Sequence, residues 1–204
     1  MFTISLALSL IAATQTTATA TATPAPTVEA LQPCDFGKRH PEAPKELDQF
    51  AFLIGNWEIR GRAWDQEASD WTSGYLPSYW EGRWILDGRA IADYWYDTPP
   101  KLDGPAPGRG VNVRMYRPET KQWTNMWQHS RLAEVRTLIS EVRDDGRMHL
   151  WSSNPDTSDQ RHMTFIVESD DHWYRLEERS NDGGKTWFPA IRLDAHRAPC
   201  PLTL

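Results

Sequence analysis

The chain reads as an all-β protein, a closed antiparallel up-and-down β-barrel of about ten strands with a short N-terminal plug helix. Three observations lead there. From Asn56 onward apolar residues alternate along the chain instead of recurring with helical period. Turn sequences punctuate that alternation at the close spacing of an all-β meander: Leu86-Asp87-Gly88, Arg117-Pro118-Glu119-Thr120, Asp144-Asp145-Gly146, Ser169-Asp170-Asp171 and Asp182-Gly183-Gly184. No long crossover separates the candidate strands, and a flat meander of this length would leave edges that proteins close or cover.

The elements follow in order along the 204 residues. Residues 1–22 have the composition of a secretory signal peptide: Ile4 to Ala13 is a short apolar run, and Ala18-Thr19-Ala20 and Ala20-Thr21-Ala22 offer small-residue cleavage sites. Residues 23–44, with Pro24, Pro26, Pro33, Pro41 and Pro44, form an extended N-terminal arm, and residues 45–204 form the barrel domain. Leu47, Phe50, Ala51 and Ile54 carry helical spacing, which predicts one or two amphipathic turns over Glu46 to Ile54 that plug one barrel end. Strands are predicted over Asn56–Trp64, Tyr75–Leu86, Arg89–Tyr96, Val111–Tyr116, Gln122–His129, Glu134–Val142, Met148–Ser152, His162–Glu168, Trp173–Glu178 and Trp187–Leu193. The Gly/Pro-rich segment Lys101 to Gly110 interrupts them as a loop at the cavity mouth.

Charge and cysteines bound the setting. The formal net charge of −6 lies entirely beyond Ala22, so nothing in the composition favours nucleic acid, and no second apolar run reaches membrane-span length. The expected location is periplasmic or secreted, without a membrane association after signal removal. In an exported chain the two cysteines, Cys34 and Cys200, are most simply read as one disulfide tying the ends of the domain together, two buried free thiols being the alternative.

The aromatic density between Leu53 and Asp97 points to a cavity. Trp57, Trp64, Trp71, Trp80, Trp84 and Trp95 fall there, out of eleven tryptophans in all. Alternation puts Ser78, Trp80, Gly82 and Trp84 on one face of their strand, and Arg89, Ile91, Asp93 and Trp95 on one face of the next. Trp123, Asn125, Trp127 and His129 share another. Trp80, Trp84, Trp95 and Trp127 are thus the candidate ligand-binding walls, with Arg114 and Arg175 as candidate cations. Asp93 and His129 are the candidate acid–base pair, since a carboxyl inside an aromatic wall is raised toward general-base range unless a cation offsets it. No established catalytic motif is present, and the six histidines show no metal-ligand spacing, so no metal and no cofactor is expected.

Leu53-Ile54-Gly55-Asn56-Trp57, Trp84-Ile85-Leu86-Asp87-Gly88-Arg89 and Met115-Tyr116-Arg117-Pro118-Glu119-Thr120-Lys121-Gln122-Trp123 resemble the lipocalin-like bacterial domain-of-unknown-function proteins, over roughly Leu53 to His129. The resemblance implies a calycin-type barrel with Trp57 closing its floor and Gly55 allowing close backbone approach. It lends no single activity. Nitrobindin-like haem barrels share the ten-strand shape, and His196 is the position-compatible axial ligand if haem is bound. Ser180-Asn181-Asp182-Gly183-Gly184-Lys185-Thr186-Trp187 is similar to an Asp-box, in which Asp182 bonds the turn amides and Trp187 packs beneath. The leading expectation is an exported barrel binding a small ligand that is partly apolar, aromatic or sugar-like. Isomerase, lyase or hydrolase chemistry by Asp93 and His129 in the same cavity is the alternative, and haem binding a third.

Overall fold

The computed structural model describes residues 34–73, 76–97, 108–131, 135–152 and 159–200. The signal-peptide reading, the first part of the arm and most of the Lys101–Gly110 loop lie outside them. A 3₁₀ helix, Lys45–Leu53, precedes eleven strands. These are β1 (Gly55–Asp65), β2 (Asp70–Trp71), β3 (Leu76–Ile85), β4 (Ala90–Asp97), β5 (Arg109–Arg117), β6 (Gln122–His129), β7 (Arg136–Val142), β8 (Met148–Ser152), β9 (Gln160–Ser169), β10 (His172–Ser180) and β11 (Phe188–Arg197). Consecutive strands pair antiparallel from β3 to β11, β1 pairs with β3, and β11 returns to β1, for instance Ile59 opposite Ala195. The result is a closed ten-strand barrel, and β2 adds only a short hairpin beyond the end of β1.

Most predicted strand bounds shift by one or two residues and β2 is not among the predicted strands; two elements differ further. The helix buries Leu47, Phe50 and Leu53, a spacing of three that fits 3₁₀ geometry, where the sequence pattern suggested the α-helical set with Ala51 and Ile54. The last strand runs past Leu193 to Arg197, because Leu193 and Ala195 continue the inward alternation and pair with Gly61 and Ile59.

The helix plugs one end. Phe50 meets Trp123 edge-on at 4.9 Å, and Trp57, Trp80, Phe165 and Trp173 complete the floor with mutual edge or tilted contacts between 5.3 and 6.5 Å. Trp57 is fully buried; its Nε1 donates to the Leu53 carbonyl at 3.0 Å and the Arg197 guanidinium lies 3.8 Å over its ring. Gly55, with φ +115°, makes room for that guanidinium, since a Cβ there would sit 2.4 Å from it. The arm returns to this end: the Trp84 amide donates to Phe36, the His40 amide to Gly88, and Cys34 bonds Cys200 with Cα atoms 5.6 Å apart.

Candidate functional site

Above the floor a polar belt crosses the barrel. Arg114 Nε donates to Asp93 Oδ2 at 2.6 Å and Nη1 to Asn125 Oδ1 at 3.0 Å; Asn125 Nδ2 in turn donates to Ser140 Oγ at 2.8 Å. All four residues are buried. They meet because Asp93, Arg114, Asn125 and Ser140 are inward positions on successive strands β4 to β7, with Arg114 opposite Asn125. The Arg114 guanidinium lies 4.5 Å over the Phe50 ring, so one cation both caps the apolar floor and neutralises the belt. Burial pushes the Asp93 carboxyl above its ordinary range, against the charge and hydrogen bond of Arg114.

Beyond the belt the lumen has two unlike walls. On one, Trp80 meets Trp95 at 5.8 Å, Trp95 lies opposite Gly110, and Asn112 lies opposite Trp127. Gly110 has no side chain to displace the indole of Trp127, which lies against its Cα; a Cβ there would fall 2.3 Å from the ring. His129 Nε2 lies 3.6 Å from Asp97 Oδ2, and Trp95 Nε1 donates to Asp97 Oδ1. On the other wall, Arg161, Arg175 and Arg179 approach the single carboxylate of Glu177 at 3.3, 3.6 and 3.3 Å. Inward-facing residues of these walls and of the floor carry buried polar atoms without a hydrogen-bond partner among the described residues: Ser78 Oγ, Trp80 Nε1, Asn112 Oδ1 and Arg175 Nε, with Trp173 Nε1 in the floor.

The predicted residues therefore divide. Trp95 and Trp127 line the upper lumen and Trp80 joins it to the floor. Trp84 lies at the plugged end, its amide bonded to the arm, because β3 runs from mouth to floor. Asp93 takes Arg114 as its partner, whereas His129 faces Asp97, so the two candidate acid–base groups stand on different partners. Arg175 faces inward beside Glu177. His196 is exposed on the outer wall, its ring parallel to His172 at 4.4 Å, a position from which it reaches no lumen ligand. Sequence reasoning missed Asn112, Arg161, Glu177 and Arg179. The signal for two of them was present: Glu177 and Arg179 share the face of Trp173 and of the predicted Arg175.

Two features stand outside the lumen. Asp182 accepts hydrogen bonds from Ser180 Oγ, the Lys185 and Thr186 amides and Thr186 Oγ1, so the Asp-box is a turn device. Its Trp187 lies against the turn, partly exposed, with its ring beside Gly184 and its Nε1 donating to the Gly184 carbonyl. On the outer wall, His149 and His162 approach at 2.9 Å between Asp145 and Glu178. Burial lowers the His162 pKa despite Glu178. Among the described residues no group of three or more His, Cys, Asp or Glu is arranged to hold a metal ion, and no helix is long and apolar enough to cross a membrane.

The strand pairings and the aromatic interior define a closed ten-strand antiparallel β-barrel. No protein-family model matches the chain, and comparison with curated proteins gives no match. Among solved structures it is similar to the S-type phycobiliprotein lyase CPES from Guillardia theta, at 14% identity and a TM-score of 0.49, covering 74% of this chain and 92% of that one. That likeness concerns chain path alone, and the barrel described above stands on its own strand pairings.

Proposed function

We propose that the protein is an exported member of a lipocalin-like bacterial family that binds a small, partly apolar, aromatic or sugar-like molecule in the lumen above the Asp93–Arg114 belt. The observation that carries this reading is the set of buried polar atoms without a hydrogen-bond partner among the described residues: Ser78 Oγ, Trp80 Nε1 and Asn112 Oδ1 on the strands beside Trp95 and Trp127, and Arg175 Nε on β10. Leaving a buried donor or acceptor unpaired costs about 1–3 kcal/mol each, a cost that a ligand with matching groups removes on binding. The Cys34–Cys200 disulfide is compatible with an oxidising compartment and supports export. Titration with N-phenyl-1-naphthylamine, an uncharged flat aromatic probe, is expected to quench tryptophan emission saturably in the native protein and less in Trp95→Leu and Trp127→Leu. Emission unchanged by this probe and by a library of small aromatic and sugar compounds would sink the binding reading.

A second reading, acid–base chemistry on a small substrate, is favoured by one observation: His129 at the mouth stands 3.6 Å from Asp97, whose other oxygen takes the Trp95 indole N–H. In that reading Asp93 holds Arg114 in place and His129 exchanges protons with substrate. A turnover found for any bound compound should fall at least about 100-fold in His129→Gln with binding retained.

A further inference from the structure

Three guanidiniums share one carboxylate on the inner wall of β9 and β10. Arg161, Arg175 and Arg179 all point at Glu177, leaving an excess of two positive charges, three minus one, among the described residues of this cluster. Their side chains form a gradient of exposure, Glu177 at 3%, Arg175 at 17%, Arg161 at 28% and Arg179 at 37%, so the excess charge lies between the waist and the mouth. Arg161 and Arg179 are direct cross-strand partners. Like charges at directly opposed positions destabilise a sheet, and one carboxylate already hydrogen-bonded to both cannot also saturate Arg175, whose Nε is buried without a partner. The Asp93–Arg114 pair beneath is self-neutralised and offers no spare negative charge.

Building on the lumen-binding reading, we infer that the ligand is a flat aromatic acid whose anionic group is held by Arg175 and Arg179 while its ring lies against Trp95 and Trp127. An arginine remains protonated at any working pH, and its planar fork matches the oxygens of a carboxylate, sulfonate or phosphate. Burial, reinforced by Arg114 and Arg161, pulls Arg175 below its ordinary value against Glu177 and Asp93, which is the electrostatic state of a cation that lacks enough counter-charge. Glu177 acts in the ligand-free barrel as the partial counter-ion, and the ligand's anionic group completes the neutralisation.

The test compares 8-anilinonaphthalene-1-sulfonate with the uncharged N-phenyl-1-naphthylamine on the folded, disulfide-bonded protein. The sulfonate probe should bind about tenfold or more tightly than the neutral one, the size of one charge-assisted hydrogen bond. Arg175→Gln and Arg179→Gln should each weaken the sulfonate about tenfold and leave the neutral probe within about twofold. Glu177→Gln should tighten the sulfonate, a change of sign that mere damage to the wall would not produce. Arg143→Gln, on the outer wall, should change neither. Near-UV circular dichroism verifies that each variant is folded, and Arg179, near the mouth, can be replaced with little loss of packing. Equal affinity for the two probes, or sulfonate binding unmoved by Arg175→Gln, Arg179→Gln and Glu177→Gln, overturns the inference while the neutral probe still reports a binding lumen. Failure of both probes overturns the inference and the lumen reading together.

Discussion

Asp93 and Arg114 meet at 2.6 Å with both side chains 1% exposed, the most deeply buried ion pair described in the barrel. Removing one partner leaves a charge in a medium that solvates it poorly, whereas replacing both with apolar groups removes the desolvation penalty as well. Asp93→Asn is expected to lower unfolding free energy by about 3–5 kcal/mol in urea titrations. The double variant Asp93→Leu/Arg114→Met should recover the larger part. If the double variant is as unstable as the single, the belt owes its stability to the hydrogen bonds of Asn125 and Ser140, not to charge balance.

Asp182 supplies an acid-sensitive clasp on the β10–β11 hairpin. The Thr186 hydroxyl, followed by the Thr186 amide and the Ser180 hydroxyl, holds its carboxyl well below the ordinary carboxylate range. A depressed folded-state pKa contributes stability that is present above the unfolded value, near 3.8, and lost as pH falls toward the folded one. Thermal midpoints of the native protein should therefore drop more steeply below about pH 4 than those of Asp182→Asn, and the two curves should converge in acid. Parallel curves would mean that the clasp does not hold the hairpin.

Two glycines separate stability from binding. A Cβ at Gly82 would meet the Leu53 carbonyl oxygen at 2.0 Å, and a backbone atom at the end of the plug helix cannot swing aside. Gly82→Ala is expected to cost about 1–3 kcal/mol or more by overpacking, measured by denaturant unfolding. At Gly110 the obstacle is the Trp127 ring at 2.3 Å, a side chain that can rotate. Gly110→Ala should leave the unfolding midpoint closer to native and shift tryptophan emission and probe affinity instead. Equal destabilisation by the two would contradict this division.

The disulfide joins positions 166 apart in sequence at the plugged end of the barrel. Chain entropy assigns such a cross-link about 5 kcal/mol of stabilisation. Cys34→Ser/Cys200→Ser should lower the thermal midpoint by about 10–20 °C and leave probe affinity in the lumen unchanged, because the bond and the mouth lie at opposite ends. Lost affinity in a folded double variant would place the ligand nearer the floor.

Alternation and turn chemistry made the barrel legible, since both are local: Gln122 to His129 and Met148 to Ser152 are strands with the same bounds in pattern and structure. The face containing Trp95, Trp127 and His129 followed from parity alone. What parity does not tell is height along the barrel axis, which is set by register between strands. Trp84 shares a face with Trp80 yet sits at the plugged end, and Asp93 and His129 share the lumen side yet choose Arg114 and Asp97. Of the arginine wall only Arg175 was legible, for another reason. Charged residues on a strand are ordinarily solvated, so Glu177 and Arg179 beside it look like an outer face until closure of the sheet turns them inward. His149 and His162 meet only because β8 pairs with β9, a contact no local pattern encodes.

Closure between β1 and β11, together with the 5.6 Å separation of the Cys34 and Cys200 Cα atoms, makes the domain a ring in topology as well as in shape. In a ring, linear order is a convention. A short linker could replace the disulfide as the join, and the chain could be reopened in the exposed Asp144-Asp145-Gly146 turn without breaking a strand. Such a circular permutant should fold to the same barrel with the same lumen, since each of the ten barrel strands keeps both of its neighbours.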